Sequence, residues 1–456
     1  MNIVRVFDSN VRKTPDKVFL HFQGRDHTYG SVQDGSRHAA ALLRKLGVGR
    51  GERVALMCFN TPGFVYAMLG AWRIGAVVVP VNHKMQAPEV DYILRHAQVK
   101  VCVFDGELAP VIERLETPVQ LLTTDTAVAG LPFFDDAIAD PDGIDGIDLD
   151  ENDPAEILYT SGTTGAPKGC VHSHRNVVLV REYHPVHFLE AVQQQRITLC
   201  FGPPVIYTTA LNAVPDFADY DLSSVRAWLY GGGPIGADVA RRLVESYRTT
   251  RFYQVYGMTE TGPVGAVLYP EEQLAKAGSI GRAALAGVDM RLAGLDGCDV
   301  PAGEIGEIWL RTETVMQGYL DDPGATAAVF ADGGWYRTGD LARKDDGGYL
   351  YIVDRAKDMI ITGGENVYSK EVEDAISGHP DVVDVAVVGR PHPEWGETVV
   401  AHVVWREPDV VGADDIRDYL SDKLARYKIP RDYVFATVLP RTPTGKIQKH
   451  LIRSAS

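Results

Sequence analysis

The sequence predicts an α/β protein: a large N-terminal domain of layered α/β subdomains plus a β-rich subdomain, followed by a small α+β C-terminal domain. Short apolar runs alternate with helical patterns in the first part of the chain, as in parallel strands covered by helices on both faces. After Glu304 the pattern changes to short strands with frequent glycine. Past Arg355 a new unit begins, and the roughly 100 residues that remain are enough for an independent domain.

The N-terminal alternation is readable element by element. Apolar residues recur at helical spacing from Ser31 to Leu46, and Gly47 ends the pattern. Strand, helix and strand then follow in an order that predicts a parallel βαβ unit. The strand-like runs are Arg53–Phe59, Ala76–Val81, Val99–Phe104, Ile197–Phe201 and Ala227–Tyr230, and a helical stretch runs from Phe64 to Gly75.

The C-terminal third carries its own elements. Asp345 to Gly348 is a hairpin signal between two strand-like runs. We divide the chain into domains at 1–356 and 357–456, with the boundary at Lys357. Beyond it we predict helices at Ser369–Ser377 and Ala413–Leu424 and strands at Val382–Val388 and Thr398–Val404.

Composition excludes several classes of protein. At 456 residues the chain exceeds one ordinary core, and its formal net charge of −16 argues against nucleic-acid binding, which needs clustered basic residues. The 5 cysteines form no CxxC pair, so we expect a reduced cytoplasmic protein without structural zinc. Neither a secretory segment nor a long apolar run is present, so we expect no integral membrane association.

The strongest chemical signal is the stretch YTSGTTGAPKG, which follows the apolar pair Ile157-Leu158. Glycines let backbone N–H groups approach an anion, hydroxyls add donors and a lysine adds charge, so the stretch predicts a phosphate loop. It departs from the Walker pattern, and a polar surface loop is the plainer alternative. The predicted phosphate-binding residues are Thr160, Ser161, Gly162, Thr163, Thr164, Gly165 and Lys168.

A second signal is the stretch from Tyr256 to Glu260, downstream of a glycine turn at Gly231 to Gly233. Thr259 and Glu260 place a hydroxyl beside a carboxylate, which suits Mg2+ bridging nucleotide phosphates. A Thr-Glu pair that only caps a helix is the alternative for this motif taken alone.

Three later segments carry further charged residues. Asp340 and Arg355 could bind the hydroxyls of a ribose, although an aspartate after a glycine usually caps a helix or stabilises a turn. Lys446 lies on a loop shaped by proline and glycine, where it could neutralise charge at an α-phosphate. A lysine so near the C-terminus is more often a solvated charge.

Together these segments resemble the core motifs of the adenylate-forming superfamily, which comprises acyl- and aryl-CoA synthetases, adenylation domains of peptide synthetases, and firefly luciferase. The similarity runs from about Phe7 to Arg453 and depends on YTSGTTGAPKG, YGMTE, YRTGDL and PTGKI occurring in this order. The stretch IITGGENVYSKEVE is most similar to free-standing fatty-acyl- or aryl-CoA ligases.

The resemblance implies roles for individual residues. The loop from Thr160 to Lys168 would hold the β- and γ-phosphates of ATP, and Glu260 with Thr160 would contact Mg2+. Thr259, Glu260 and Lys446 would be catalytic, with Lys446 bonding both carboxylate and phosphate. Nucleotide contacts would come from Gly231, Gly232, Gly233, Tyr256, Gly257, Asp340, Ile352 and Arg355.

The resemblance also implies a mobile C-terminal domain. After acyl-AMP forms, that domain would rotate about Lys357, withdraw Lys446 and bring Gly363 and Gly364 towards coenzyme A. For the acid pocket we name Tyr207, Trp228, Gly257 and Met258.

The implied function is an ATP-dependent carboxylate–CoA ligase for a fatty or aromatic acid, with ATP, Mg2+ and coenzyme A as cofactors or co-substrates. One alternative is an adenylating ligase with another nucleophile, such as an amine or a carrier protein, or with an inorganic acid such as nitrite. A nucleotide-binding, non-catalytic paralogue is another, which the retained Lys446 argues against. A homodimer is one possible assembly.

The sequence departs from the family pattern after Val178. It lacks a βαβ stretch of about 45 residues that typical members carry there. Three explanations are open: the sequence omits an internal piece, the protein is a natural short form with a rebuilt pocket, or it is a degenerate paralogue. In typical members, the residues absent here contribute to the sheet, to the acyl pocket and to the mouth of the coenzyme A tunnel.

Overall fold

The computed structural model describes residues 2–134, 149–150, 152–160, 167–173, 185–194, 196–232, 235–406, 412–441 and 447–455. Within these ranges, no helix has the length and apolar character needed to cross a membrane. The strands are β1 (Val18–Phe22), β2 (Arg25–Thr28), β3 (Arg53–Met57), β4 (Val77–Pro80), β5 (Val99–Asp105), β6 (Gln120–Thr124), β7 (Pro154–Thr160), β8 (Lys168–Ser173), β9 (Leu199–Gly202), β10 (Ala227–Gly231), β11 (Phe252–Tyr256), β12 (Ala266–Leu268), β13 (Ala283–Ala284), β14 (Val288–Ala293), β15 (Ile305–Thr312), β16 (Gly318–Tyr319), β17 (Phe330–Ala331), β18 (Trp335–Lys344), β19 (Leu350–Arg355), β20 (Ile360–Thr362), β21 (Glu365–Val367), β22 (Val382–His392), β23 (Gly396–Trp405) and β24 (Asp432–Phe435). The α-helices are α1 (Ile3–Lys13), α2 (Tyr29–Lys45), α3 (Pro62–Arg73), α4 (Ala87–His96), α5 (Ala109–Ile112), α6 (Pro185–Gln194), α7 (Pro204–Ala213), α8 (Ala237–Ser246), α9 (Pro323–Val329), α10 (Ser369–Ser377), α11 (Ala413–Ser421) and α12 (Lys449–Ala455).

The first sheet confirms the predicted βαβ unit. Its strand order is β16-β8-β7-β4-β3-β5-β6, in which β3 pairs in parallel with both β4 and β5. Val54, Val78 and Val101 on neighbouring strands are completely buried, as expected for a parallel sheet covered by helices. β7 continues the parallel order, whereas β8 returns antiparallel beside it. The β7–β8 connection therefore lies at the edge of this sheet where β7 ends, which is the carboxyl end of the parallel strands.

The second sheet has the order β13-β12-β11-β10-β9, with β9, β10 and β11 parallel. The predicted strand at Ile197–Phe201 begins two residues late, at Leu199. Arg196 adopts a left-handed φ of 49°, and the Ile197 N–H bonds back to the Val192 carbonyl, so the end of α6 holds these residues out of the sheet. The carboxyl ends of β9, β10 and β11 share one edge, where ligands bind in such sheets.

The third sheet forms the β-rich part, with the order β14-β15-β18-β17 and β19 paired with β18. The hairpin predicted at Asp345 to Gly348 is confirmed, because the Gly348 N–H donates to the Asp345 carbonyl at 2.9 Å. Asp340 and Arg355 face each other across β18 and β19. The register thus brings two distant motifs into direct contact.

The C-terminal domain is built on the sheet β21-β20-β23-β22, with β24 parallel to β23. Helix α10 has the predicted bounds, and α11 ends three residues before the predicted Leu424. The core of the C-terminal domain is rich in valine and isoleucine from the helices and from β22 and β23. Ile360, Val372 and Ile416 are completely buried in it. The chain therefore has the predicted mixed α/β fold, with a large N-terminal domain and a smaller C-terminal one.

Candidate active site

The predicted phosphate loop is the connection between β7 and β8. Thr160 lies opposite Lys168, and its Oγ1 donates to the Lys168 carbonyl at 3.4 Å. The intervening residues Ser161, Gly162, Thr163, Thr164 and Gly165 lie outside the described residues.

Helix α4 holds both ends of this connection. The Tyr92 hydroxyl donates to the Pro167 carbonyl at 3.1 Å, and His96 Nδ1 is hydrogen-bonded to the Tyr159 hydroxyl at 2.7 Å. Tyr92 and His96 also stack on each other, with ring centroids 5.4 Å apart. The ends of the loop are therefore fixed by tertiary contacts as well as by the sheet.

The second predicted motif follows β11 at the shared edge of the second sheet. Gly257 leads into a 3-10 turn at Thr259–Thr261, and a Cβ at Gly257 would lie 2.4 Å from the Pro263 carbonyl oxygen. Glycine is therefore required at 257 by this close backbone approach. The Met316 N–H donates to the Glu260 carbonyl at 2.7 Å, which ties the turn to the segment before β16.

The Glu260 carboxylate faces a partly buried polar cluster. The Tyr319 hydroxyl donates to its Oε1 at 3.2 Å. Burial, followed by the negative charge of Glu260, raises the pKa of Tyr319, Tyr336 and Cys170. These three side chains therefore remain neutral at neutral pH.

A second cluster brings three of the predicted nucleotide-binding residues into direct contact. Asp340 accepts from the Tyr256 hydroxyl through Oδ2 and from Arg355 Nε through Oδ1, both at 2.8 Å. Asp340 and Tyr256 are buried, whereas the Arg355 side chain is 44% exposed. Burial and then the Asp340 charge raise the pKa of Tyr256, so the phenol stays a donor.

The remaining predicted nucleotide-binding and catalytic residues lie on or next to β10 and β19, or outside the described residues. Gly231 ends β10, and Gly232 follows with a left-handed φ of 78°. Ile352 lies on β19, opposite Ala342. Gly233 and Lys446 lie outside the described residues.

The residues predicted to act during domain rotation follow β19. Lys357 is exposed. Desolvation of its amine by neighbouring atoms, together with the positive charge of Arg355, nevertheless lowers its pKa to about 8. Gly363 and Gly364 form the turn between β20 and β21, with φ of 60° and 85°. The Gly363 N–H donates to the Trp395 carbonyl at 2.9 Å, which anchors this turn to the residue before β23.

The aromatic residues named for the acid pocket occupy the core instead of a cavity wall. Tyr207 and Trp228 are 0% and 1% exposed. The Tyr207 hydroxyl donates to the Leu229 carbonyl, and the Trp228 ring stacks on Phe252. As placed here they offer no surface to a ligand, so their substrate role stays a prediction, whereas Gly257 and Met258 lie partly exposed at the strand edge.

Two buried titratable residues lie behind the phosphate loop. Glu156 on β7 pairs with His172 on β8, and they are 4% and 1% exposed. Burial raises the pKa of Glu156 to about 8. The pKa of His172 is lowered to about 4 by burial. A hydrogen bond to the Thr259 backbone acts in the opposite direction but is the smaller effect. His172 thus links the β7–β8 hairpin to the turn that carries Glu260.

We expect Glu156→Gln to remove a pH-dependent loss of stability. The folded protein keeps Glu156 protonated up to about pH 8, whereas the unfolded chain ionises it near its ordinary value of 4.5. Because the unfolded state binds fewer protons in this window, the free energy of unfolding falls with rising pH, by at most about 1.4 kcal/mol per unit. Urea unfolding midpoints measured between about pH 5 and pH 8 should therefore decline less in the variant.

The control for that measurement is Glu52→Gln. Glu52 is an acid on the surface whose pKa is lowered by its hydrogen bond to Lys100, so it cannot produce this decline. An unchanged decline in Glu156→Gln would show that Glu156 titrates normally in the folded protein.

The sequence did not single out Tyr319, Tyr92 or His96. A glycine before an aromatic residue at Gly318-Tyr319 is too common a signal to indicate a contact with Glu260. Tyr92 and His96 lie four residues apart on one face of α4, a spacing that usually indicates packing.

The donor chemistry at Glu260 fits a hard divalent cation. Mg2+ takes few protein carboxylates and completes its shell with phosphate and water, and Glu260 with the Thr160 hydroxyl offers oxygen ligands of this kind. In the described ranges, no group of three or more His, Cys, Asp or Glu residues could hold a metal by itself. A cation at Glu260 would therefore take phosphate and water oxygens for most of its other bonds.

Comparison with protein families accounts for most of the chain. The AMP-binding enzyme model matches residues 7–187 and 177–320, and the AMP-binding enzyme C-terminal domain model matches residues 371–446. The two parts of the first match meet at 177–187, which is where the internal deletion after Val178 was predicted.

Individual proteins are similar over nearly their full length. Feruloyl-CoA synthase from an Amycolatopsis species is 36% identical over 488 aligned residues, covering 97% of this chain and 96% of that protein. Long-chain-fatty-acid–CoA ligase FadD13 from Mycobacterium tuberculosis is 33% identical over 473 aligned residues, covering 93% of this chain and 92% of that protein. Both alignments are longer than the 456 residues of this chain, so they contain gaps opposite residues of the relatives.

A solved structure shows the same architecture. The o-succinylbenzoate CoA synthetase of Bacillus subtilis, in complex with its acyl-adenylate intermediate, has a TM-score of 0.85 and 25% identity, covering 99% of this chain and 98% of that one. Because both family models match and together cover most of its length, this chain belongs to the AMP-binding enzyme family.

Proposed function

We propose that this protein is an ATP-dependent carboxylate–CoA ligase that activates a fatty or aromatic acid as acyl-AMP and transfers the acyl group to coenzyme A. The observation that carries the proposal is the direct contact of Tyr256, Asp340 and Arg355, close to the turn that holds Glu260. The similarity to feruloyl-CoA synthase and to a fatty-acid–CoA ligase supports the two classes of acid.

The nucleotide would bind at the carboxyl edge of the second sheet. Asp340 would accept from the ribose hydroxyls, with Arg355 beside it, and Gly231, Gly232 and Tyr256 would flank adenine. The phosphates would reach the β7–β8 connection, where Lys168 would meet their negative charge. Mg2+ bound through Glu260 would neutralise phosphate charge in this arrangement.

The first half-reaction needs positioning and charge stabilisation. A carboxylate oxygen of the acid attacks the α-phosphorus, the bond to the bridging oxygen of the β-phosphate breaks, and pyrophosphate leaves. Thr259 would contact the α-phosphate, and Lys446 would stabilise the charge that builds between carboxylate and phosphate. In the second half-reaction the coenzyme A thiolate attacks the acyl carbonyl, and AMP leaves.

Passage between these half-reactions would use rotation of the C-terminal domain about Lys357. In this structure Asp354, which precedes Lys357, accepts from the backbone N–H of Ser369 and from its hydroxyl. Lys449 donates to the same hydroxyl at 2.7 Å and pairs with Glu373 at 2.7 Å. Rotation about Lys357 would separate Ser369 from Asp354, so this buried network favours the arrangement seen here.

The experiment that tests the proposal is a screen for acid-dependent exchange of pyrophosphate into ATP, using fatty, aromatic and amino acids. We expect exchange with a fatty or an aromatic acid and release of AMP and acyl-CoA once coenzyme A is added. Mass spectrometry of products, with amines and nitrite offered in turn, would reveal another nucleophile or acid. Nucleotide binding in calorimetry without turnover of any acid would contradict the proposal and favour a non-catalytic protein.

A further inference from the structure

We propose that Tyr319 is a positioning residue: it orients the Glu260 carboxylate for a nucleotide-bound cation and couples that carboxylate to Lys168 at the base of the phosphate loop. This inference rests on the proposed function.

The segment that carries Tyr319 holds Glu260 at two points. The Tyr319 hydroxyl donates to Glu260 Oε1 at 3.2 Å, and the Met316 N–H donates to the Glu260 carbonyl at 2.7 Å. A glutamate in a partly exposed site otherwise samples several rotamers. One contact on the backbone and one on the carboxylate restrict both the position and the direction of Glu260.

The ring of the same tyrosine faces the phosphate loop. Lys168 Nζ lies 4.9 Å from the centroid of the Tyr319 ring, within the range of a cation–π contact. The backbone of Tyr319 also pairs with Cys170 on β8, two residues after Lys168. One side chain therefore touches a carboxylate proposed to bind the cation and a lysine proposed to bind phosphate.

The position of Tyr319 is itself fixed by its surroundings. Its N–H donates to Thr326 Oγ1 at 2.9 Å, and the Leu320 N–H donates to the Gly169 carbonyl at 2.8 Å. Gly318 has a φ of 153°, and a Cβ there would lie 3.0 Å from Thr326 Cγ2, so the backbone before Tyr319 passes close to α9. Groups held in place before the ligand arrives need little reorganisation when it binds.

Two substitutions separate the hydroxyl from the ring. Tyr319→Phe removes the hydrogen bond to Glu260 and keeps the ring over Lys168, whereas Tyr319→Leu removes both contacts. For Tyr319→Phe we expect the affinity for Mn2+ in the presence of ATP, measured by electron paramagnetic resonance, to fall about 5- to 10-fold. The Mg2+ concentration for half-maximal pyrophosphate exchange should rise by a similar factor, with kcat at saturating Mg2+ changed less than about 3-fold.

For Tyr319→Leu we also expect weaker nucleotide binding without metal, by about 3-fold in calorimetry, because the contact with Lys168 is lost. The matched control is Tyr349→Phe. Tyr349 also donates to a glutamate, Glu272, at 2.7 Å, and Lys276 lies 4.6 Å from its ring centroid, but it belongs to the hairpin after β18. This control should leave Mn2+ affinity and Mg2+ dependence unchanged.

The outcomes distinguish this inference from the proposed function. A wild-type chain that binds Mn2+ with ATP but exchanges pyrophosphate with no acid would defeat the proposed function, and the Mn2+ titration would still decide the role of Tyr319. Unchanged Mn2+ affinity in a folded Tyr319→Phe variant, judged by its thermal midpoint, would overturn the inference. So would a wild-type chain that binds ATP but no Mn2+.

Discussion

Replacing Lys446 by alanine should lower the rate of acid-dependent pyrophosphate exchange by about 100- to 1000-fold, the range found when one preorganised charge-stabilising donor is removed. The resemblance to the adenylate-forming superfamily assigns this lysine to the transition state of adenylation, and the C-terminal family model extends to residue 446. The residues that flank this lysine's loop lie within the described ranges. Arg441 and Ile447 form a bridge, and Arg441 pairs with Asp384 on β22 at 2.5 Å.

The second half-reaction should respond differently to the same substitution. If rotation about Lys357 withdraws Lys446 before the thiol attacks, a variant supplied with synthetic acyl-AMP and coenzyme A should form acyl-CoA at a rate within about 3-fold of wild type. Lys370→Ala is a suitable control, because Lys370 is a partly exposed lysine of the same domain paired only with Asp374 among the contacts described. Equal losses in both half-reactions would contradict a role confined to adenylation.

The sequence was sufficient to predict the elements that carry the site. Some parallel strands are continuous apolar runs, such as Val77–Pro80, and these can be recognised in the sequence because both faces of the sheet are buried. Anion binding by YTSGTTGAPKG was predicted from its glycine, threonine and lysine residues, and it stays a prediction. Direct bonding of Tyr256 to Asp340 was not predictable in this way, since the two residues belong to different sheets.

Other features depend on tertiary packing that a local pattern does not contain. Tyr207 and Trp228 were assigned to the acid pocket because large aromatic side chains suit an aryl or acyl group, but the same side chains are equally suited to the core, where the structure places them. Tyr319 is held beside the end of the phosphate loop by the pairing of β16 with β8, across about 150 residues of sequence. Local periodicity contains no information on that pairing.

Replacing Asp340 by alanine should raise the KM for ATP by about 10- to 100-fold, as expected when one or two hydrogen bonds to a charged group are lost. The change removes the proposed acceptor for the ribose hydroxyls and leaves the buried Tyr256 hydroxyl without its present acceptor. We therefore also expect the free energy of unfolding to fall by about 1–3 kcal/mol. Steady-state kinetics and urea unfolding measure the two effects separately.

Comparison of ATP with 2′-deoxy-ATP and 3′-deoxy-ATP distinguishes a ribose contact from a structural effect. For the wild-type enzyme, kcat/KM should be about 10-fold or more higher with ATP than with at least one deoxy analogue. Asp340→Ala should lose most of this preference, because the variant lacks the carboxylate that would accept a hydrogen bond from the ribose hydroxyl. Asp289→Ala is the matched control, since Asp289 pairs with Arg311 across two strands of the same sheet at 2.7 Å. Its preference for ATP should equal that of wild type. If Asp340→Ala instead keeps the full preference while losing stability, Asp340 supports Tyr256 and Arg355 in the fold, and the ribose is bound elsewhere.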